Sequence, residues 1–154
     1  MYVFLILILT VPRYFHMWLW NFNSHTKSYE LVNTNELSAF DYLKTHTDNN
    51  AVVLANGIGS DFNGPFVTYF TNHPTYFSGI TTDLVEHGVN YQPRANIVNF
   101  IFTTKDTEQL KTVLHKEGVS YILLPRTSSF PLEKSAVFTE VYKNEGYSIQ
   151  AVRL

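Results

Sequence analysis

The stretch from Asp106 to Leu124, DTEQLKTVLHKEGVSYILL, limits the fold more than any other part of this chain. Asp106 with Gln109 three residues on is the signature of a helix start. Leu110, Val113 and Leu114 then recur at helical spacing and line one face. Gly118 supplies the left-handed residue that closes a helix. Val119 to Leu124 reads as a buried strand, stopped by Pro125. Helix, glycine and buried strand are half of a βαβ unit. They predict an α/β domain, with helices flanking a mixed, partly parallel sheet.

The remaining segments extend this reading to about five strands. ELSAFDYLKTH, from Glu36, places Leu37, Phe40 and Leu43 on one helical stripe, with Asn33 or Asn35 at its start. Thr47 to Asn50 is a turn. Ala51 to Ala55 is apolar without alternation, as in an interior parallel strand covered on both faces. Gly64-Pro65 opens a short helix through Phe70, and Asn72-His73-Pro74 breaks it. Thr75 to Ser78 is a second strand candidate. Thr81 to Pro93 is a loop, and Arg94 to Phe102 returns to helical spacing through Ile97, Val98, Ile101 and Phe102. Phe138–Tyr142 and Tyr147–Val152 flank the turn signal Lys143-Asn144-Glu145-Gly146.

The N-terminus has a different character. Met1 to Val11 is apolar except for Thr10, and Pro12-Arg13 ends it. At ~1.5 Å per residue such a run covers about half of a hydrocarbon core. Residues 14–22 are dense in aromatics and hold both tryptophans, the pattern of a membrane–water interface. A signal peptide would need a basic start and small residues at a cleavage site. Neither is present, and the run suits the outer half of a membrane helix better than a buried core helix. The expected organisation is therefore residues 1–22 as the end of a transmembrane helix with an interfacial segment, 23–35 as a linker, and 36–154 as an extracytoplasmic α/β domain. That organisation implies further chain before Met1.

Composition excludes several chemistries. The chain has 154 residues and a net charge of −2, which gives no basic footprint for nucleic acid. It has no cysteine, hence no disulfide, thiolate metal site or cysteine nucleophile. No two of its six histidines stand three or four apart, and no G-x-S-x-G occurs. Metal ligands, catalytic residues and cofactors are accordingly expected to number none. The loop Asn56-Gly57-Ile58-Gly59-Ser60 follows the carboxyl end of a strand, where open α/β sheets bind ligands. Its glycines match neither G-x-G-x-x-G nor a P-loop. Arg94 opens a helix after a long loop and suits an anionic group. Asn56, Gly57, Gly59, Ser60 and Arg94 are the candidate ligand-binding residues, against the plainer readings of a turn and a surface arginine.

The order of these pieces resembles the C-terminal soluble domain of polytopic C-type membrane glycosyltransferases, the group related to dolichyl-phosphate-mannose–protein mannosyltransferases. The carrying segments are ELSAFDYLKTHT, DNNAVVLANGIG, FTNHPTYFSG, the helix at Arg94, LHKEGVSYILLP and FTEVYKNEGYSIQAVRL. Gly118-Val119-Ser120-Tyr121-Ile122 matches that group's Gly-Val-x-Tyr-hydrophobic strand. Two places depart from it. Thr45-His46-Thr47-Asp48 lacks the proline of the usual turn, and Thr71-Asn72-His73 stands where a Thr-Gly-Arg-like tripeptide is common. The resemblance implies a membrane enzyme that transfers a sugar from a polyprenyl-phosphate-linked donor to an acceptor on the outer side. It also implies that the catalytic acid lies upstream of this chain. A membrane-tethered α/β module that binds a small anionic or sugar ligand is the alternative, and a soluble domain whose first segment enters the core is a third.

Overall fold

The structure is a computed structural model, and it describes residues 32–55, 63–77, 88–127 and 136–153. The expected membrane segment (1–22), most of the linker and the Asn56–Ser60 loop lie outside the described residues. Four helices are present among them: α1 (Thr34–His46), α2 (Asn63–Thr71), α3 (Gln92–Thr103) and α4 (Thr107–Glu117). The four strands are β1 (Val52–Ala55), β2 (Val119–Pro125), β3 (Phe138–Lys143) and β4 (Tyr147–Val152). None of these helices is long and apolar enough to cross a membrane.

The sheet is mixed, in the order β1-β2-β4-β3. β1 and β2 are parallel, with Leu54 opposite Ile122 and Ala55 opposite Leu123. The connection between them carries α2, α3 and α4, as a parallel pair requires. β4 returns antiparallel to β2, and β3 closes the far edge antiparallel to β4. The expected fifth strand at Thr75 shrinks to one parallel bridge between Thr75 and Val53. The chain enters that bridge from Asn72, at φ 63°, and then from Pro74. Proline has no N–H to give a ladder, so pairing cannot extend backwards from Thr75.

The βαβ reading holds in detail. The Asp106 carboxylate accepts from the Glu108 and Gln109 amides, a cap that contributes about 1 kcal/mol. Gly118 closes α4 at φ 69°, and its N–H reaches the His115 carbonyl. Leu110 and Leu114 are fully buried. With Leu54, Val98, Ile101, Ile122 and Leu124 they form one core cluster, between the sheet and α3 and α4. Val53, Leu123 and Ile149 are also fully buried, but stand outside that cluster. Their pleat turns them to the other face, which α1 and α2 cover. This double cover explains why β1 and the Tyr121–Leu124 part of β2 are apolar throughout.

On α1 the buried residues are Glu36, Ala39, Phe40 and Leu43. Leu37, expected on the inner stripe, is 41% exposed. At about 100° per residue it lies roughly a third of a turn off the buried face. The helix also takes in Thr34 and Asn35, which belong to the expected linker. The β3–β4 turn holds this start in place. The Asn144 side-chain amide donates to the Asn35 carbonyl at 2.6 Å, and its carbonyl oxygen accepts from the Gly146 and Tyr147 amides. A Cβ on Gly146 would stand 3.0 Å from that of Asn35, so glycine permits the close approach.

Candidate functional site

Arg94 is the one candidate ligand-binding residue that falls among the described residues. Asn56, Gly57, Gly59 and Ser60 lie outside them, although β1 does end at Ala55, directly before the loop. Arg94 sits in the first turn of α3, where a proline at the first positions starts the helix without losing a needed N–H. Its guanidinium lies over the Tyr76 ring, 5.6 Å from the centroid, and Nη1 donates to the Tyr76 carbonyl at 3.2 Å. Phe77 and Tyr91 meet beside it with ring centroids 6.4 Å apart.

Tyr76 organises this corner. It is buried, and its hydroxyl donates to Glu117 Oε2 at 2.8 Å. Burial raises the phenol's pKa well above the usual tyrosine range, and the Glu117 carboxylate adds to the rise. A phenol held neutral in this way is a hydrogen-bond donor and not a base. The arrangement therefore ties α3, α4 and the Thr75 bridge together. Arg94 is itself exposed, and beyond its one bond to the Tyr76 carbonyl a guanidinium has further N–H groups to offer an anion or carbonyl oxygen.

A second polar knot lies under the other helix pair. His73 is fully buried. Its Nε2 is 2.7 Å from Thr47 Oγ1 and its Nδ1 is 3.2 Å from the Thr71 carbonyl. Thr47 Oγ1 in turn donates to the Leu43 carbonyl at 2.6 Å, and Thr71 Oγ1 to Val67 at 2.6 Å. The ring thus joins the end of α1 to the end of α2. Sequence reasoning passed over both His73 and Tyr76. His73 lies in an Asn-His-Pro break, the signature of a solvated turn, and no spacing links it to Thr47. Among the described residues no group of three or more histidines and acids is placed to hold a metal ion.

The sequence matches no protein-family profile and no curated protein sequence. The fold does have a counterpart. It is similar to the C-terminal globular domain of an oligosaccharyltransferase from Archaeoglobus fulgidus, with a TM-score of 0.54 and 12% sequence identity. The match covers 79% of this chain and 99% of that domain. At this identity the likeness is one of fold, and it agrees with the α/β architecture that the sequence indicated.

Proposed function

We propose that this chain is the C-terminal soluble domain of an integral-membrane glycosyltransferase that uses a polyprenyl-phosphate-linked sugar donor. The observation that carries this reading is the shared fold with a whole oligosaccharyltransferase C-terminal domain. The apolar run and aromatic segment over residues 1–22 support it, because they suit the end of a membrane helix and its interface. In this reading the domain lies on the extracytoplasmic side and carries no catalytic group. It covers a membrane-level active site and contacts the acceptor through Arg94 and the Asn56, Gly57, Gly59 and Ser60 loop.

The test is sugar transfer in membranes. Membranes with and without this chain are given a radiolabelled polyprenyl-phosphate sugar, and label in acceptor is counted. Transfer that depends on the chain is expected. Arg94→Ala raises KM for the acceptor and leaves donor turnover to water unchanged. Transfer that continues at full rate without the chain would overturn the reading. An unchanged acceptor KM in Arg94→Ala would remove Arg94 from it.

A further inference from the structure

We infer that the groove between α1 and β3 is a carbohydrate site that takes a neutral pyranose ring. The groove has a volume of about 470 Å³ and is lined by Leu37, Ser38, Asp41, Tyr42, His46 and Tyr142. That volume is within the range of small-ligand sites, about 300–1,000 Å³. The inference does not rest on the function proposed above. β3 is the sheet edge opposite β1, whereas Arg94 is tied to the β1 side through Tyr76, whose N–H donates to the Val53 carbonyl.

The aromatic lining is packed ring on ring. The Tyr42 and His46 rings stack with centroids 4.6 Å apart and 5° between planes. Tyr142 packs against Tyr42 at 4.8 Å, so the three rings form one ladder from helix to strand. Side chains already ordered by packing cost little further entropy on binding. Leu37, the helix residue turned away from the core, adds an exposed aliphatic surface beside them. Tyr42, the middle ring, is covered by its two neighbours, so the exposed His46 ring at the end of the ladder and Leu37 offer the apolar surface that suits the C–H face of a sugar ring.

The polar lining is rich in acceptors, and its hydrogen bonds show why. Ser38 Oγ spends its hydrogen on the Thr34 carbonyl at 2.8 Å, so its lone pairs remain. Thr45 Oγ1 spends its hydrogen on the Asp41 carbonyl at 2.7 Å, because a carbonyl can only accept. The 2.7 Å contact between Thr45 Oγ1 and His46 Nδ1 is then satisfied only with Nδ1 as donor. In the neutral ring this leaves His46 Nε2 as an acceptor. The Asp41 carboxylate is a third acceptor. Two hydroxyl donors balance them, those of Tyr42 and Tyr142. The Tyr142 hydroxyl accepts from the Asn144 amide at 3.1 Å and keeps its own hydrogen to give. With the His46 ring neutral, three acceptors and two hydroxyl donors around an apolar ladder complement a ring that bears several hydroxyls and one ether oxygen. A phosphate or carboxylate ligand would meet Asp41 and is disfavoured by charge.

The test uses the full chain in a detergent that carries neither sugar nor choline. Saturation-transfer NMR is recorded with methyl α-D-mannopyranoside and methyl α-D-glucopyranoside, and separately with tetramethylammonium. Saturable transfer to the pyranoside ring protons is expected. Asp41→Asn and His46→Phe, the second of which keeps the ring stack, should each weaken it about tenfold. Both residues are exposed, and an unchanged urea midpoint verifies that the variants fold. No transfer to either pyranoside, equal transfer in the variants, or binding of tetramethylammonium in place of sugar would each overturn the site. None of these results bears on sugar transfer in membranes, so the two readings fail separately.

Discussion

His73 and Tyr76 lie three residues apart on one connection, yet they serve opposite faces of the sheet. His73 turns towards α1 and α2, where it is fully buried among uncharged partners, Thr47 and the Thr71 carbonyl. Tyr76 turns towards α3 and α4, where its partners are charged and reach solvent at one end, Glu117 and Arg94. The backbone between them is pinned to β1, by Val53 N–H to the Pro74 carbonyl and Tyr76 N–H to the Val53 carbonyl. One short segment therefore fastens both helix layers to the same strand. The difference in partners sets what each tie is worth. A fully buried bond cannot be replaced by water, whereas a bond to a partly exposed carboxylate can.

That comparison gives an order of effects. His73→Ala removes a buried ring and leaves a cavity beside polar groups, and should cost about 2–4 kcal/mol, read as a fall in the urea midpoint. Tyr76→Phe removes one hydroxyl and leaves Glu117 within reach of water, so a loss near 1 kcal/mol is expected. Equal losses for the two variants would break the comparison.

Alkaline pH separates the faces further. Folding raises the Tyr76 pKa above the unfolded value near 10. The unfolded chain therefore loses this proton first. The contribution is complete below pH ~10 and is lost as pH rises towards the higher folded value. Wild-type stability should fall across that window, and Tyr76→Phe should fall less steeply. Parallel curves would mean that the phenol titrates alike in both states. The smallest effect belongs to Arg94→Ala, because its guanidinium is exposed. About 0.5–1 kcal/mol is expected from the ring and carbonyl contacts together, and added salt should change it little, since neither partner is a formal charge. A loss above about 2 kcal/mol would make Arg94 part of the fold and weaken its place as a free recognition group.

Much of this was legible along the chain. α4 and its cap, Gly118, the parallel strands β1 and β2 and the β3–β4 hairpin follow from residue type and local spacing, because capping, left-handed glycine and apolar runs act within a few residues. Leu37 shows the limit. Leu37, Phe40 and Leu43 make a stripe on paper, yet the helix rolls so that Glu36 and Ala39 face inward with Phe40 and Leu43. A helix can roll when its hydrophobic stripe is incomplete, and only the surface it packs on chooses the angle.

The site divides in the same way. Arg94 could be picked out because an arginine opening a helix after a loop is a local signal. Its seat on Tyr76 could not, nor could the tie from Tyr76 to Glu117, 41 residues later in the chain. The groove between α1 and β3 joins Tyr42 to Tyr142 across a hundred positions. The sequence by itself determined the α/β class, the helix ends and the covered parallel pair. Tertiary structure alone decided which face of α1 is buried, which of the described histidines is enclosed, and which polar groups meet. Backbone preferences are set by neighbours in the chain, whereas burial and hydrogen-bond partners are set by whatever the fold brings within about 3 Å.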